Sequence, residues 1–125
     1  MNGLIDDKAV LDSCTCMNVL NKKLSALPKM ECFISVVTRM ELYAKPDLTA
    51  AESTQIDQLL SGITVIPLDD TIERTATAVR RFGKPRPNLP DAIVAATAVV
   101  LDAPLITQDD AMLKLQFPGV RSRLP

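Results

Sequence analysis

Residues 88–98 read NLPDAIVAATA, and this stretch decides the fold because one carboxylate opens a run that is otherwise small and apolar. The run continues without a charged residue to Leu101, which predicts a buried helix over residues 90–101. Its alanines would let that helix lie close to a sheet, and Pro90 fixes the backbone at its start. Asp91 would then be a charged group held at the end of a rigid, buried element, which calls for a functional explanation.

The composition favours a single domain over residues 1–125, with a core of aliphatic side chains. Hydrophobic residues make up 47% of the chain and aromatic residues only 3%, and a chain of this length buries enough surface for one core. The formal net charge of −1 argues against a general binder of polyanions. The chain has no histidine, so catalysis near neutral pH would have to proceed without an imidazole acid or base.

The cysteines and the N-terminal region predict a cytoplasmic protein. Three cysteines in a chain without an export signal are expected to be free thiols, and a closed zinc site lacks ligands. Asp6 and Asp7 stand where a signal peptide would carry positive charge. No apolar run is long enough to span a bilayer, so no membrane partner is expected.

Strands alternate with helices along the chain, which predicts an α/β fold with a parallel sheet covered on both faces. A mixed segment over residues 13–24 follows the first predicted strand. The predicted strands cover residues 8–12, 31–37, 63–68 and 103–108, with an edge strand in the tail 119–125. The predicted helices cover residues 38–45, 50–61, 70–82, 90–101 and 109–116, and the pairs Thr38–Glu41 and Asp70–Glu73 fit capping boxes.

Acidic residues stand close to the carboxyl ends of the predicted strands, where parallel sheets bind ligands. They are Asp12, Glu41, Asp91 and Asp109, with Asp110 beside the last. Each alone is explained equally well as a helix cap or a first-turn charge. Gathered at one site, carboxylates without histidine would favour Mg²⁺ or Mn²⁺, which bind phosphate oxygens and activate water.

Basic residues crowd the segment just before Asp91. They are Arg80, Arg81, Lys84 and Arg86. They predict either contacts with the phosphates of a nucleic acid or a solvated helix end, where the helix dipole favours positive charge. With one Tyr, three Phe and no Trp, stacking on bases would contribute little.

Three segments of the chain resemble the PIN-domain family, in particular the VapC-type ribonuclease toxins. AVLDSCTCMNVLNK (9–22) resembles its opening strand and first acid, and ISVVTRMELY (34–43) resembles its second motif. PDAIVAATAVVLDAPLITQDD (90–110) resembles its third and fourth motifs. Among these, the pattern D-x-x-[IV]-A-A-T-A over residues 91–98 is the most specific.

The resemblance implies a PIN-like three-layer α/β/α fold with four to five parallel strands. It also implies a metal-dependent endoribonuclease that uses Mg²⁺ or Mn²⁺, often forms a homodimer and is inhibited by a cognate antitoxin. The acids expected to bind metal and act in catalysis are Asp12, Glu41, Asp91 and Asp109, with Asp110 as an alternative to the last. Ser13 and Thr38 are expected to bind at the substrate by orienting a metal-bound water or a carboxylate. The expected contacts of Arg81, Lys84 and Arg86 with the substrate follow from their charge and not from the resemblance.

One position departs from the family pattern: Cys14 stands where the family often has Asn, and a thiol cannot replace the donor and acceptor pair of an amide. An alternative interpretation is a PIN-like binding or regulatory module with weak catalysis. Another is a phosphoacceptor receiver domain, which Asp6 and Asp7 fit poorly because they precede the first strand. The apolar residues Met17, Val19, Leu20 and Leu24, or Leu59 and Leu60, would form either core or a partner surface.

Overall fold

A computed structural model describes residues 7–125, so Asp6 of the acidic pair lies outside the described residues. The strands are β1 Lys8–Leu11, β2 Glu31–Ser35, β3 Thr64–Ile66, β4 Leu105–Ile106 and β5 Ser122–Arg123. They form a five-stranded sheet in the order β3-β2-β1-β4-β5, and every neighbouring pair is parallel. The predicted parallel sheet and the edge strand in the tail are therefore confirmed.

Helices connect the strands. They are α1 Ser13–Leu20, α2 Val36–Tyr43, α3 Ala50–Leu60, α4 Asp70–Phe82, α5 Leu89–Leu101 and α6 Asp110–Leu113. Helix α5 begins one residue before its predicted range, and the loop 84–90 is correspondingly shorter. Helix α4 ends at Phe82, as predicted, and Gly83 is its C-terminal cap. Among the described residues, no helix combines the length and apolarity required to cross a membrane.

Both predicted capping boxes are wrong, because a neighbouring side chain takes the cap position in each case. Ser35 caps α2 by accepting a hydrogen bond from Val37 N at 3.1 Å. Helix α2 therefore starts within the predicted strand 31–37, and Thr38 is already helical. Asp69 caps α4 by accepting from Ile72 N at 2.8 Å. In α3, Thr49 and Glu52 form a capping box.

The strand predicted over 103–108 contains only the two residues of β4, because the residues at both of its ends belong to helix ends. Ala103 N donates to Ala98 O at 3.0 Å and so completes the end of α5. At the other end, the side chain of Asp109 caps α6. The same competition from turns shortens the strand predicted over 63–68 and the helix predicted over 109–116.

Side chains alternate between the two faces of the sheet, and both faces are covered. Ala9 and Leu11 of β1 pack into a cluster with Ile34 and residues of α1 and α3, whereas Val10 packs with α4 and α5. On that second face Ala92, Ala95 and Ala98 are fully buried beside Val10 and Leu105. Methyl side chains allow this close approach, so the three-layer α/β/α arrangement follows from the alanines of α5.

Glycine is required at position 83 because the helix end packs tightly there. A Cβ on Gly83 would lie 2.6 Å from Val79 O and 3.0 Å from Leu115 Cδ1. We expect Gly83→Ala to lower the free energy of unfolding by about 1–3 kcal/mol through overpacking. Urea unfolding followed by circular dichroism measures the change.

Gly62→Ala is the matched control, because a Cβ at Gly62 meets no atom within 4 Å. Its free energy of unfolding should change by less than about 0.5 kcal/mol. Equal effects of the two substitutions would contradict the steric explanation for Gly83.

Candidate active site

The acids predicted from the strand ends follow the strands as expected, and the charges of three of them act on the fourth, Asp91. The strand order reverses between β1 and β4, which opens a crevice at their carboxyl ends. Asp12 directly follows β1, and Asp109 follows β4 after two residues. Glu41 projects from α2, which follows β2, and Asp91 lies in the first turn of α5.

The pKa of Asp91 shows that the other three acids act on it electrostatically. Burial raises the pKa of the Asp91 carboxyl to about 6, and neighbouring negative charges add to the effect. Those charges belong, in decreasing order, to Asp109, Glu41 and Asp12. The ionised form of Asp91 is therefore disfavoured by both of the effects that a bound cation would relieve.

Asp12 is buried, and both of its carboxylate oxygens are engaged. Oδ1 accepts a hydrogen bond from Thr15 N at 2.9 Å, which makes Asp12 the N-terminal cap of α1. Oδ2 accepts from the hydroxyl of Thr107. Thr15 in turn donates its hydroxyl to Ile106 O at 3.1 Å. Asp12 is thus both a structural cap and a member of the acid group, and its orientation is fixed from two sides.

Thr107 joins the first and fourth acids, and our sequence analysis did not single it out. Besides donating to Asp12, its hydroxyl accepts a hydrogen bond from Asp109 N at 3.0 Å. Asp109 Oδ1 accepts from Met112 N at 3.0 Å and so caps α6. The available signal was a threonine at a strand end two residues before an acid. Asp110, the alternative fourth acid, is exposed in the first turn of α6.

The remaining predicted residues differ widely in accessibility. Glu41 is exposed in the second half of α2. Thr38, one turn before it, is 0% exposed. Within residues 7–125, its hydroxyl is one of two buried side-chain oxygens without a hydrogen-bond partner. Ser13 is half-buried in the first turn of α1 beside Asp12. Ser13 can therefore reach a ligand directly, whereas Thr38 can only support another side chain.

The thiols stay protonated near neutral pH. Burial, then the charges of Asp12 and Asp109, raises the pKa of Cys14. Burial likewise raises the pKa of Cys16, to about 12, and that of Cys32. All of them are free cysteines, as predicted.

The donor chemistry of the crevice fits a hard divalent cation. Across residues 7–125, no three His, Cys, Asp or Glu side chains already converge closely enough to form a metal site. Mg²⁺ does not need such a cage, because it usually binds one or two carboxylates and keeps several waters. The four carboxylates supply oxygen donors, and the raised pKa of Asp91 records the negative charge that a cation would neutralise.

The basic residues before Asp91 lie in the last turn of α4 and in the loop that joins it to α5. The guanidinium of Arg81 lies 4.9 Å from the centroid of the Phe82 ring. Arg86 Nε donates to Arg80 O at 3.1 Å. The backbone of Lys84 pairs with Gln116, while its side chain is exposed. Positive charge is therefore presented to solvent on the chain segment that leads into Asp91.

A groove of about 450 Å³ lies between α1, α2 and α3. Its lining includes Glu41 of the acid group, so the groove and the crevice share a side chain. The other lining residues are Met17, Leu20, Asn21, Leu42, Ala44, Lys45, Leu48, Glu52, Gln55 and Ile56. Leu59 and Leu60 instead pack against the core cluster of that face and do not line the groove.

A family profile and a solved structure both match nearly the whole chain. The PIN domain profile matches residues 11–118. A toxin–antitoxin complex from Klebsiella pneumoniae is similar at 26% identity and a TM-score of 0.67, over 90% of this chain and 94% of that chain. No curated protein matches the sequence.

Two further solved structures share the fold at lower identity. VapBC2 from Rickettsia felis, bound to a promoter DNA fragment, is 16% identical with a TM-score of 0.75, over 94% of this chain and 98% of that chain. VapBC-5 from Mycobacterium tuberculosis is 24% identical with a TM-score of 0.70, over 95% of this chain and 99% of that chain.

Replacing Asp91 with Asn should stabilise the metal-free protein at neutral pH. The pKa of Asp91 rises from its ordinary 3.8 to about 6 on folding, so the folded state binds the proton more tightly than the unfolded chain. Stability is therefore lost as the pH rises through this window. We expect Asp91→Asn to gain about 1–2 kcal/mol at a pH of about 7.5, and almost nothing at about 4. Urea unfolding across this pH range measures the gain.

Asp70→Asn is the control, because Asp70 is an exposed first-turn acid of α4 outside the acid group. It removes a charge favoured by the helix dipole, so it should give no gain at neutral pH. A gain for Asp91→Asn that does not depend on pH would contradict the electrostatic explanation.

Proposed function

The chain belongs to the PIN-domain family, and on that premise we propose that it is a divalent-metal-dependent endoribonuclease, the toxin of a toxin–antitoxin pair. The observation that carries the proposal is that the charges of Asp109, Glu41 and Asp12 all act on the half-buried Asp91, in a fold whose strand order reverses between β1 and β4. Such a group of carboxylates is costly unless it binds a cation. Family membership also replaces the receiver-domain alternative.

The proposed cation is Mg²⁺ or Mn²⁺, held by carboxylates of the four acids. Asp109 is favoured over Asp110 because its charge contributes to the raised pKa of Asp91. When bound, such an ion supplies positive charge to phosphate oxygens and lowers the pKa of a water. Asp12 is the fixed ligand, because both of its oxygens are already oriented by hydrogen bonds. Asp91 is the ligand that competes with protons, because its pKa is raised to about 6, so affinity for the ion should fall as the pH drops below about 6.

The proposed substrate is RNA, and the supporting observation is the exposed positive charge on the chain segment before Asp91. Arg81, Lys84 and Arg86 are exposed on the segment that leads into α5, where they would contact phosphates. Ser13, half-buried beside Asp12, would contact the phosphate nearest the acids. Thr38 is fully buried, so its proposed role is to orient a carboxylate rather than to contact RNA.

The proposed partner is a small antitoxin protein, and the groove between α1, α2 and α3 supports it. The structure similar at 26% identity is a toxin–antitoxin complex. The groove wall is mainly apolar and carries Glu41 next to the acid group. A segment with apolar side chains and a basic residue would match this wall and cover the crevice at the same time.

The proposal includes a single-domain homodimer that acts in the cytoplasm, where its RNA substrate is found. Self-association is supported by apolar side chains exposed at the two ends of the loop between α4 and α5. Phe82 is 60% exposed and Leu89 is 54% exposed. Burying them against a second copy would remove apolar surface from water.

A second candidate function is a PIN-like regulatory module with weak catalysis. It is favoured by one observation: within residues 7–125 no three ligand side chains already form a metal cluster. Absence of metal binding by calorimetry, together with no cleavage of any RNA, would support it over the nuclease.

The nuclease is tested with purified protein and total RNA in Mn²⁺, in Mg²⁺ and in EDTA. We expect cleavage with either ion and none in EDTA, and a rate at least about 100-fold lower for Asp91→Asn, since a metal ligand is lost. Mapping the ends of the fragments identifies the preferred sequence. Metal-independent cleavage, or full activity of Asp91→Asn, would contradict the proposed mechanism.

Asp109→Asn and Asp110→Asn form a matched pair in the same assay. The first should lower the rate and the second should leave it nearly unchanged, because the charge of Asp109 acts on Asp91 and that of Asp110 is not among the charges that do. The reverse pattern would make Asp110 the fourth acid.

The phosphate contacts are tested by reversing charge at Arg81 and Lys84 together. RNA affinity should fall about tenfold or more at low salt, and the slope of affinity against salt should decrease by about 2. Fluorescence anisotropy with the inactive Asp91→Asn background measures both. Arg74→Glu, an exposed residue on α4, is the control and should change neither value much. An unchanged salt slope in the double variant would exclude these contacts.

The antitoxin surface is tested with two exposed methionines. Met17 lines the groove and is 41% exposed, whereas Met40 is 65% exposed outside it. Met17→Lys should weaken binding of the small protein encoded beside this chain about tenfold or more, whereas Met40→Lys should not. Calorimetry with the purified partner measures both affinities. Equal weakening by the two substitutions would show that the groove is not the docking surface.

A further inference from the structure

A hydrogen bond between side chains ties α1 to the loop that carries Asp109. Asn18 Nδ2 donates to Gln108 Oε1, joining residues that are 90 positions apart. The same amide nitrogen lies 3.8 Å from Cys14 Sγ. Gln108 stands between Thr107 and Asp109, so this tie lies at the mouth of the acid crevice.

The backbone of the loop is anchored at both of its ends. On the strand side, Thr107 N donates to Arg123 O at 3.0 Å, and the Thr107 hydroxyl donates to Asp12. On the other side, α6 has four residues and is anchored by Met112, which is 2% exposed in the core. Gln108 and Asp109 lie between these two anchors, and Asp109 is exposed. The contact of Gln108 with α1 adds a third support.

The hydrogen bond between Asn18 and Gln108 also bears on Cys14, which stands where the family often has Asn. A thiol is a weak donor and a weak acceptor, so Cys14 cannot supply an amide hydrogen bond at this place. Asn18 lies one helical turn after Cys14, on the same face of α1. Its amide is the group of this helix that reaches the loop of the fourth acid.

We propose that Asn18 and Gln108 are positioning residues for Asp109: they fix the loop after β4 so that Asp109 and Asp12 face each other across the crevice. This inference rests on the proposed function, in which both acids bind the metal ion. Neither amide touches the reacting atoms. Their effect on the reaction acts through the placement of Asp109.

The first test measures Mn²⁺ affinity by calorimetry. Asn18→Leu and Gln108→Leu should each weaken Mn²⁺ binding about tenfold, because partners of metal ligands contribute to affinity on this scale. The double leucine variant should be no weaker than either single variant, since each already breaks the same hydrogen bond. The exchanged pair Asn18→Gln with Gln108→Asn keeps one donor and one acceptor, so it should restore most of the affinity. Gln58→Leu, on exposed α3, is the control.

The second test needs neither metal nor substrate. The amide hydrogens of Asp109 and Met112 donate within this loop, and NMR hydrogen exchange reports how often these bonds open. Exchange at both should be about fivefold faster in Asn18→Leu, as expected for loss of one hydrogen bond, and unchanged at Val10 in the core. With RNA, kcat should fall while KM stays nearly constant.

The outcomes separate this inference from the proposed nuclease. Weaker Mn²⁺ binding, recovery in the exchanged pair and faster exchange confined to the loop would support it. Unchanged exchange at Asp109 and Met112 in Asn18→Leu would overturn it, whatever the activity. If the wild-type chain bound no Mn²⁺ and cleaved no RNA, the proposed function would fail. The exchange data would then still decide whether the tie positions Asp109.

Discussion

The hydrogen bond from the Thr107 hydroxyl to the buried carboxylate of Asp12 links the two strands between which the order of the sheet reverses. The shape of the crevice depends on this hydrogen bond. Asp12 also caps α1, and the Thr107 hydroxyl also accepts a hydrogen bond from Asp109 N. The start of α1, the end of β4 and the start of α6 therefore meet through one hydroxyl group. The remaining acids, on α2 and α5, surround this fixed pair.

Much of the architecture was predictable because it depends on local pattern. The apolar run of α5 and its alanines indicated a buried helix on a parallel sheet, and the structure confirms it. The N-terminal caps of α2 and α4 were not predictable, since Ser35 and Asp69 compete with acceptable neighbours for the same amides. Thr107 and the Asn18–Gln108 pair were also beyond reach, because their contacts span about 90 residues and leave no trace in local spacing. The acids themselves were predictable from the strand ends, but their depth of burial was not.

The acid group combines two physical roles that usually conflict. Asp12 and Asp109 stabilise helix starts as caps, so their negative charge is partly compensated by backbone amides. Asp91 has a raised pKa because burial and its neighbours oppose its charge. The fold thus tolerates concentrated negative charge by using some of it for capping and leaving the rest uncompensated. That uncompensated part is what favours a cation, so stability and binding capacity are set by the same side chains.

Glu41 belongs both to the wall of the groove and to the electrostatic surroundings of Asp91. A ligand seated in the groove and an ion in the crevice would therefore act on one shared side chain. Thermodynamic linkage requires their effects to be mutual: the factor by which one ligand changes the affinity for the other is the same in both directions. An inhibitor that releases the ion would be released by a high concentration of that ion. The free ion concentration would then set the affinity of the inhibitor for the protein.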